Sequence, residues 1–472
     1  MRAGGPVRGR RSAGLLAAAV LAVFATAATA AETGAPTTGR LSFSLPQARA
    51  AMHRSGREGN IALARKLALA VIEANPEDGE AQYVLAQSAR RLNRPAEAYR
   101  AATAAYRLAE TDLQRFQSAQ IAATTAYETS RLTMAQLWLR RGYDAAPTGA
   151  SRTAIARDFR RLRRINPLLL ELSFHLSPSS NVNNGSDDSL NYIDGVPLVG
   201  LLSPSAQALS GLEYGSDIRG RYRLTPPGAR TELSLHGRYY FRKVRLSSEA
   251  REAAPTARNG DFAFSVAEMA LRGRHALGER SAVSLGLAAG KAWYGGEPNF
   301  DFGRLEAGWQ VAAGERTRLG LRGFGELRRD TADRDSQVLQ ASVFARHFMP
   351  TLGTFTTTLS LRDHDSALSI YSSRSVSARV EWQPAKQVGP VTLDLALEST
   401  YSDYPDFRVG IISVPGGRQD RSLAASMNLG FPDVSYRGFI PELAVAASRT
   451  RSNVSRFDTT ELSLGLGIRS AF

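Results

Sequence analysis

A change in the spacing of apolar residues near position 166 limits the fold of this chain more than any other feature. Beyond that position, apolar and polar residues alternate with a period of two, and turn-forming residues recur at regular intervals. For example, Leu319 and Leu321 share one face of a segment whose other face carries Arg318 and Arg322. The pattern predicts a long series of β-strands, each with an apolar and a polar face.

Such strands suit either a soluble sandwich or an outer-membrane barrel, in which the apolar face meets lipid and the polar face lines the lumen. The number of segments favours the barrel, since about fourteen strands are predicted and barrels of this kind have an even number. Short turns such as 225–228 and 277–280 also alternate with longer polar connections such as 247–260 and 402–418. The predicted strands begin near Leu168, Ser210, Thr231, Asp261, Ser281, Asn299, Thr317, Ser336, Thr354, Tyr371, Pro390, Gln419, Gly438 and Arg456.

The final segment carries a signal for membrane assembly. Leu462, Leu464 and Leu466 share one face of the last predicted strand, and Phe472 ends the chain in the same register. A terminal phenylalanine of this kind resembles the signal that the barrel-assembly machinery reads, so this machinery is an expected partner during biogenesis. The order of short and long connections predicts that the chain enters and leaves the antiparallel barrel on its periplasmic side.

Residues 45–164 carry helical spacing instead, and the spacing repeats. Ala64 recurs as Ala98, about 34 residues later, which is the period of tetratricopeptide repeats. Leu85 and Ala86 suit the large and small positions of a first repeat helix, and Ala105 is small where two helices approach. Stacked repeats present a concave surface that usually binds peptides or proteins.

A third, more degenerate repeat is predicted between Thr111 and Pro147, with Leu137, Trp138 and Tyr143 as core candidates. Three further aromatic residues either pack in the core, which is the commoner role in helical proteins, or belong to a binding surface. These residues are Tyr83, Tyr99 and Tyr106.

The first thirty residues predict a secretory signal peptide. Arg10 and Arg11 precede a short apolar run, and the small residues Ala28–Thr29–Ala30 supply cleavage positions. The run is too short for a spanning helix, which needs about 20 apolar residues. The predicted organisation is therefore a signal peptide over 1–30, a periplasmic tetratricopeptide-like domain over 45–164, and an outer-membrane barrel over 166–472.

Composition argues against several kinds of chemistry. The chain has no cysteine, which excludes disulfides and a cysteine-linked lipid, and its six histidines lack metal-ligand spacing. The net charge of +15 comes mainly from arginines that are spread among the strands, so no nucleic-acid partner is expected. The sequence contains no nucleophile elbow and no phosphate-binding loop. We therefore expect no enzyme activity, no cofactor and no metal site.

The first predicted strand leads into the run 178–184, which reads PSSNVNN, after a start that reads NPLLL. This run resembles the beginning of the barrel in the surface lipoprotein assembly modulator family, the outer-membrane component of type XI secretion. The family joins an N-terminal tetratricopeptide domain to a fourteen-stranded barrel. Its members carry surface lipoproteins, or related haem- and metal-acquisition proteins, across the outer membrane. The resemblance implies the same architecture and a protein cargo, although the repeat array is shorter here.

Six residues are candidates for a cargo path or a gate. Three of them are predicted to hold the connection 184–205, which either folds into the lumen as a constriction or lies exposed as an ordinary loop. The other three are predicted to line the lumen. The candidates are Ser180, Asn181 and Asn183 for the connection, and Arg238, Arg318 and Arg322 for the lumen.

Transport of a specific protein cargo from periplasm to cell surface is the predicted function, with the cargo and outer-membrane lipid as partners. Two alternatives fit the same architecture. An exopolysaccharide exporter also joins helical repeats to a barrel, usually with a longer repeat array. A passive porin with an arginine-lined pore would select anions by charge, but it would not need the repeat domain.

Overall fold

In a computed structural model, the chain is described over residues 43–194, 196–332, 334–434 and 439–470. The predicted signal peptide and the terminal Phe472 lie outside these residues. The chain divides into two compact units, with the boundary between Leu162 and Arg163, and each unit is treated by itself. Among the described helices, none is long and apolar enough to cross a membrane.

The first unit consists of antiparallel helices joined by tight turns. Asp78 caps one helix, because its carboxylate accepts a hydrogen bond from the Ala81 N–H at 2.9 Å. Asn60 caps another by accepting from the Leu63 N–H at 3.1 Å. The helices are α1 (Leu45–Arg57), α2 (Ile61–Ala74), α3 (Gly79–Arg91), α4 (Pro95–Leu108), α5 (Asp112–Glu128), α6 (Leu132–Asp144) and α7 (Gly149–Ile165).

The repeat predicted from the sequence is present as three helix pairs, α1–α2, α3–α4 and α5–α6. The turns within the pairs each contain one residue in the left-handed region, with φ of 81° at Gly59, 54° at Asn93 and 58° at Ser130. Gly59 and Asn93 are separated by the same number of residues as Ala64 and Ala98, whereas the separation between Asn93 and Ser130 is slightly larger. The third pair is therefore a variant of the same unit, as predicted.

Small side chains let the helices of this unit approach closely. Ala64 and Ala98 are completely buried, and Trp138 fills the space between α4 and α6 with 2% exposure. Leu137, a predicted core residue, is instead 47% exposed. Consecutive residues on a helix lie about 100° apart, so burying Trp138 turns Leu137 away from the core.

The second unit is a closed antiparallel barrel of fourteen strands, which confirms the predicted fold class. Each predicted strand start lies within about three residues of an observed one. The barrel strands are β1 (Leu168–Ser179), β4 (Gly211–Arg223), β5 (Thr231–Leu246), β6 (Phe264–Ala276), β7 (Ser281–Tyr294), β8 (Glu297–Ala312), β9 (Thr317–Asp330), β10 (Ser336–Met349), β11 (Gly353–Ser366), β12 (Ser373–Gln383), β13 (Thr392–Tyr404), β16 (Arg418–Gly430), β17 (Phe439–Ser452) and β18 (Thr459–Ser470). The connections add β2 (Leu190–Ile193), β3 (Val196–Leu201), helix α8 (Ser248–Ala253), β14 (Arg408–Val409) and β15 (Ile412–Ser413).

The apolar face of each barrel strand points outward. Leu285, Leu305 and Leu327 are 65%, 61% and 65% exposed, although each lies inside its strand and not at an end. On the opposite face, Glu326 is only 3% exposed. An apolar exterior around a polar interior is the arrangement of outer-membrane barrels, in which lipid covers the outer face.

Connections differ between the two ends of the barrel. The loop end carries the long connections 180–210, 247–263 and 405–417, and the terminal end is where β1 begins and β18 ends. The predicted alternation of short and long connections holds only in part, because β7 and β8 are joined at the loop end by just Gly295 and Gly296. Both glycines have positive φ, which permits this tight turn. The long loops therefore cluster around the strands nearest β1.

Candidate functional site

The lumen has two walls of different chemistry. Apart from β7, whose inward residues are mainly small, strands β4 to β12 point many arginine, glutamate and aromatic side chains inward, whereas β13, β16, β17 and β18 point mostly small polar or apolar residues inward. Strand register assigns the small-residue wall, whose inward positions include Thr400, Ser422, Ala424, Ser426, Ser448, Ala446, Ser463 and Gly465. The arginines are therefore concentrated on the first wall, although Glu398, Arg418, Asp420 and Glu461 also point inward from the second.

Six of these charged residues form the lumen ion-pair network, which spans β6, β8 and β9. Its members are Glu268, Arg272, Arg304, Glu306, Glu326 and Arg328. Arg272 pairs with both carboxylate oxygens of Glu306, through Nε at 2.8 Å and Nη2 at 3.0 Å. Glu326 accepts from Arg304 Nε at 2.6 Å and from Arg328 Nε at 2.7 Å. Three arginines and three glutamates thus neutralise one another.

A glycine makes the link across β7 geometrically possible. Gly286 lies on β7 directly between Arg272 on β6 and Glu306 on β8. A Cβ atom at this position would lie 3.0 Å from Glu306 Oε2 and 3.2 Å from Arg272 Cγ. Because glycine has no side chain, the two charged groups can bond over a strand that separates them.

Aromatic rings hold the same arginines from the side. The Arg304 guanidinium lies 5.1 Å from the ring centroid of Phe302 and 5.4 Å from that of Phe324. Arg328 lies 4.7 Å from the ring centroid of Phe300. Contacts of this kind favour a fixed guanidinium position, so the network is an ordered part of the wall.

Two of the predicted lumen arginines flank this network. Arg238 pairs with Asp217 through Nε at 3.0 Å and Nη2 at 2.8 Å, beside a recess of about 510 Å³ that also contacts Arg272 and Arg304. Arg322 lies beside Arg272 on the other side and stacks 5.4 Å from the Phe344 ring centroid. The structure therefore brings Arg238 and Arg322 to one region of the lumen.

Arg318, the third predicted lumen arginine, lies nearer the terminal end. It also faces the lumen, directly opposite Arg346 on β10. Within the described part of the chain, neither Arg318 nor Arg322 has an acid at ion-pair distance. Arg318 is thus separate from the network and leaves an unneutralised positive pair near this opening.

The three predicted connection residues lie together at the loop end. Ser180 continues the pairing of β1 with β18, because its N–H donates to the Leu462 carbonyl at 3.1 Å and its Oγ accepts from the Leu462 N–H at 3.0 Å. Asn181 is buried and closes a ring with Gly185 through two hydrogen bonds of 2.8 Å. These bonds hold the start of the connection against the barrel rim.

Asn183 ties the two ends of the same connection together. Its Nδ2 donates to the Gln207 carbonyl at 2.7 Å, and its Oδ1 accepts from the Leu209 N–H at 2.8 Å. The connection itself contains the β2–β3 hairpin, so it is more ordered than a plain exposed loop. The prediction that these residues govern cargo movement remains a prediction.

The long loops pack on one another across part of the barrel opening. Ile193 from the first connection is buried against Val414 and Val454 from two other connections. Beneath them, the lumen-facing Arg418 pairs with Asp420 at 2.8 Å and lies 3.6 Å from the ring centroid of Phe457. Three separate connections therefore meet over the wall that carries small residues.

The helical unit has a groove of its own, with a volume of about 370 Å³. Its lining is polar, and it includes Glu77, Asp78, Glu80, Tyr83, Glu110, Gln114 and Gln117. Asp78 is buried and paired with Arg49 at 2.6 Å, whereas Glu77, Glu80 and Glu110 are exposed at the edge of the groove. Burial raises the pKa of the Tyr83 hydroxyl above its usual range. The groove thus offers amide, hydroxyl and carboxylate groups to a ligand.

Sequence reasoning missed most of the network. The alternation of β9 predicts that Arg322, beside the network, faces the lumen, but it does not single out Glu268, Arg272, Arg304 or Glu306. The alternation within each strand indicates which residues face the lumen. It does not indicate that residues of β6 and β8 pair with each other across Gly286. Among the described residues, no group of three or more potential ligands is arranged to hold a metal.

No protein-family model and no curated protein sequence matches this chain. Several solved structures are similar to parts of it at low identity. A BenF-like porin from Pseudomonas fluorescens Pf-5 is 8% identical, with 65% of this chain and 100% of that chain covered and a TM-score of 0.35. A bacterial polysaccharide outer membrane secretin is 10% identical, with 64% and 98% covered and a TM-score of 0.33. The TPR2B-domain:pHsp70 complex of yeast Sti1 is 16% identical, with 25% and 95% covered and a TM-score of 0.23. Similarity at this level does not identify a family, and the class of protein, a helical-repeat unit followed by a fourteen-stranded barrel, is defined by the strand pairing itself.

Proposed function

We propose that this protein is an outer-membrane translocon that moves a protein cargo from the periplasm to the cell surface. The observation that carries the proposal is the union, in one chain, of a helical-repeat groove with a closed barrel whose interior is charged and whose exterior is apolar. The groove would bind the cargo, and the lumen would give it a polar path through the bilayer. The resemblance of the run 178–184 to the surface lipoprotein assembly modulator family supports the same function.

The groove favours a particular kind of cargo segment. Glu77, Glu80 and Glu110 give its edge a negative charge, and Gln117 offers an amide group that can pair with an extended backbone, whereas Gln114 Oε1 already accepts from the Glu110 and Thr111 N–H groups. A basic, extended segment of the cargo fits these groups best. The periplasmic location of the helical unit is part of this proposal. So is the periplasmic position of the two chain ends of the barrel.

The lumen gives less support to an anion-selective porin. Such a pore needs arginines whose charge is available to the passing ion. Here Arg272, Arg304 and Arg328 are neutralised by glutamates at 2.6 to 2.8 Å, although Arg318 and Arg322 face the lumen without an acid at ion-pair distance among the described residues. Protein transport is therefore the function that we put forward.

Deletion of the gene tests the proposal in intact cells. Surface biotinylation, followed by quantitative mass spectrometry, would compare wild-type, deleted and complemented strains. We expect the deletion to remove a small set of proteins from the surface at least tenfold, with restoration on complementation. Unchanged surface proteins would contradict the proposal, and loss of a surface polysaccharide alone would favour sugar export instead.

A further inference from the structure

The outward faces of the barrel strands carry charged residues at one end only. Within the described strands, every outward Lys, Arg, Asp or Glu lies near the loop end, and the terminal end has none. The outward cations are Lys243, Arg245, Lys291, Arg329, Arg374, Arg421, Arg449 and Arg451, and the outward acids are Asp301, Asp363, Asp365 and Asp403. The membrane-facing surface is thus electrically asymmetric, with an excess of positive charge on one side.

Three of these cations are neighbours on β16 and β17, and we call them the outer arginine patch. Arg421 lies directly opposite Arg451. Arg449 precedes Arg451 on the same face of β17 and lies opposite Leu423. Directly opposed residues have Cβ atoms about 4.5–5.5 Å apart, and like charges at this spacing destabilise a sheet. The arrangement is therefore unfavourable unless an anion lies between the arginines.

Nearby acids do not supply that anion. Asp403 lies on the adjacent strand, opposite Gln419 and not opposite Arg421. Asp187 approaches the same rim, but its carboxylate accepts hydrogen bonds from Thr460 N–H at 2.8 Å and Thr460 Oγ1 at 2.6 Å. Among the residues that the structure describes, no acid lies within 4.0 Å of the three guanidinium groups.

Two of the other outward cations of the same rim have an acidic partner. Lys291 lies 3.3 Å from Asp301, and Arg374 lies 3.8 Å from Asp363. Lys243, Arg245 and Arg329 have no acid at ion-pair distance among the described residues, so the lack of a partner is not confined to the patch. The outer arginine patch differs from these cations because it groups three arginines on two adjacent strands, two of them directly opposite each other.

The position of the patch indicates which anion would reach it. Leu423, opposite Arg449, is 54% exposed and belongs to the apolar belt. Tyr401, opposite Arg421, is 39% exposed, and tyrosine is characteristic of the boundary between lipid tails and headgroups. The guanidinium groups therefore lie at headgroup height, where arginine can extend along the apolar surface toward the polar layer.

We propose that Arg421, Arg449 and Arg451 bind the phosphate of an anionic lipid in the leaflet at the loop end. Arginine presents a planar fork of donors that matches phosphate oxygens, and three such groups on adjacent strands surround a single phosphate. The lipid is the source that we assign, because a headgroup phosphate is held at this height by its own acyl chains. The inference rests on the membrane insertion in the proposed function, but it does not depend on any cargo.

Lipid binding to the full chain, purified in a neutral detergent, tests this assignment by native mass spectrometry. The probes are lipid A with two phosphates and lipid A with one. The variant carries Arg421→Gln, Arg449→Gln and Arg451→Gln, and we expect it to bind the two-phosphate lipid at least tenfold more weakly. A matched control carries Lys243→Gln, Arg329→Gln and Arg374→Gln, which removes equal charge from separate strands of the same rim and is expected to change affinity less than twofold.

Three outcomes would overturn the proposal. Equal losses of lipid affinity in the two variants would show that binding depends on the general charge of the rim. Unchanged affinity in both variants would show that the patch is not a lipid site. Complete competition by millimolar inorganic phosphate would show a site for free phosphate instead of lipid. Heat-dependent mobility on a gel reports whether each variant is a folded barrel, so a failure of membrane insertion is distinguished from a failure of lipid binding.

Discussion

The helical unit and the barrel distribute similar side chains in opposite ways. In the helical unit, Ala98 and Trp138 are buried and the charged residues lie at the surface, except Asp78, which is buried and paired with Arg49. In the barrel, Leu285 is 65% exposed while Glu326 is only 3% exposed. Water is expected around the first unit and lipid around the second, where the polar side chains of the barrel can only be satisfied inside. Burial therefore follows the surrounding solvent and not the chemical type of the residue alone.

The strongest test of this contrast is in the helical core. Trp138→Ala removes a side chain whose Nε1 donates to the Tyr99 hydroxyl at 2.9 Å and whose ring contacts Tyr106 edge-on at 5.2 Å. We expect a loss of about 3–5 kcal/mol in unfolding free energy, since a large cavity replaces the ring. Urea unfolding followed by circular dichroism measures it.

The neighbouring exposed leucine is the control for that substitution. Leu137→Ala should change the unfolding free energy by no more than about 0.5 kcal/mol, because the side chain is 47% exposed. Equal losses from the two substitutions would contradict the packing described for α6.

The next test places a charge on the apolar outer face of one barrel strand and compares it with a charge placed on the lumen face. Leu397 on β13 points outward and is 51% exposed, whereas Thr400 points into the lumen. Leu397→Arg places a charge against lipid tails and should destabilise the barrel by about 2–4 kcal/mol. Thr400→Arg, among the small residues of the lumen, should cost much less. Unfolding in lipid vesicles by urea measures both, and similar losses would argue against a lipid-covered exterior.

A smaller effect is expected when one carboxylate of the lumen network is neutralised. Glu326→Gln leaves Arg304 and Arg328 without the acid that they share, and we expect a loss of about 1–3 kcal/mol in barrel stability. Conductance in planar bilayers should also shift toward anions, because negative charge leaves the lumen. Glu461→Gln removes the same charge beside Ser179, without an arginine partner, and should affect stability less. A larger loss of stability from Glu461→Gln than from Glu326→Gln would contradict a stabilising role for the network.

The smallest effect concerns an ion pair between repeats of the helical unit. The bond from Arg65 lowers the pKa of the Glu97 carboxyl from its ordinary value of 4.5. A carboxyl with a lowered pKa stabilises the folded state above pH 4.5, and this contribution is lost as the pH falls through the lowered pKa. The two side chains are 19% and 20% exposed, so the contribution is at most about 1 kcal/mol. Glu97→Gln should flatten the acid branch of the stability curve, and an unchanged branch would exclude this pair as its cause.

Much of the architecture was predictable, because hydrophobic periodicity is read directly from neighbouring residues. The change of period predicted both the repeat unit and a fourteen-stranded barrel, and the faces assigned to Leu319 and Arg322 are the observed ones. Leu137 was assigned wrongly, since spacing alone does not say which of two adjacent helical residues meets the next helix. Loop lengths were also misjudged, because two glycines sufficed to turn between β7 and β8.

The sequence alone determined the local properties of this protein: helix or strand, the direction of each side chain from its strand, and the number of strands. These follow from backbone geometry, which acts between residues a few positions apart. Only the tertiary structure decided which charges meet, as with Arg272 and Glu306 across Gly286, or Ser186 Oγ with the Ser455 carbonyl at 3.0 Å. Such contacts depend on the closure and register of the whole barrel, which brings together residues that no local pattern connects.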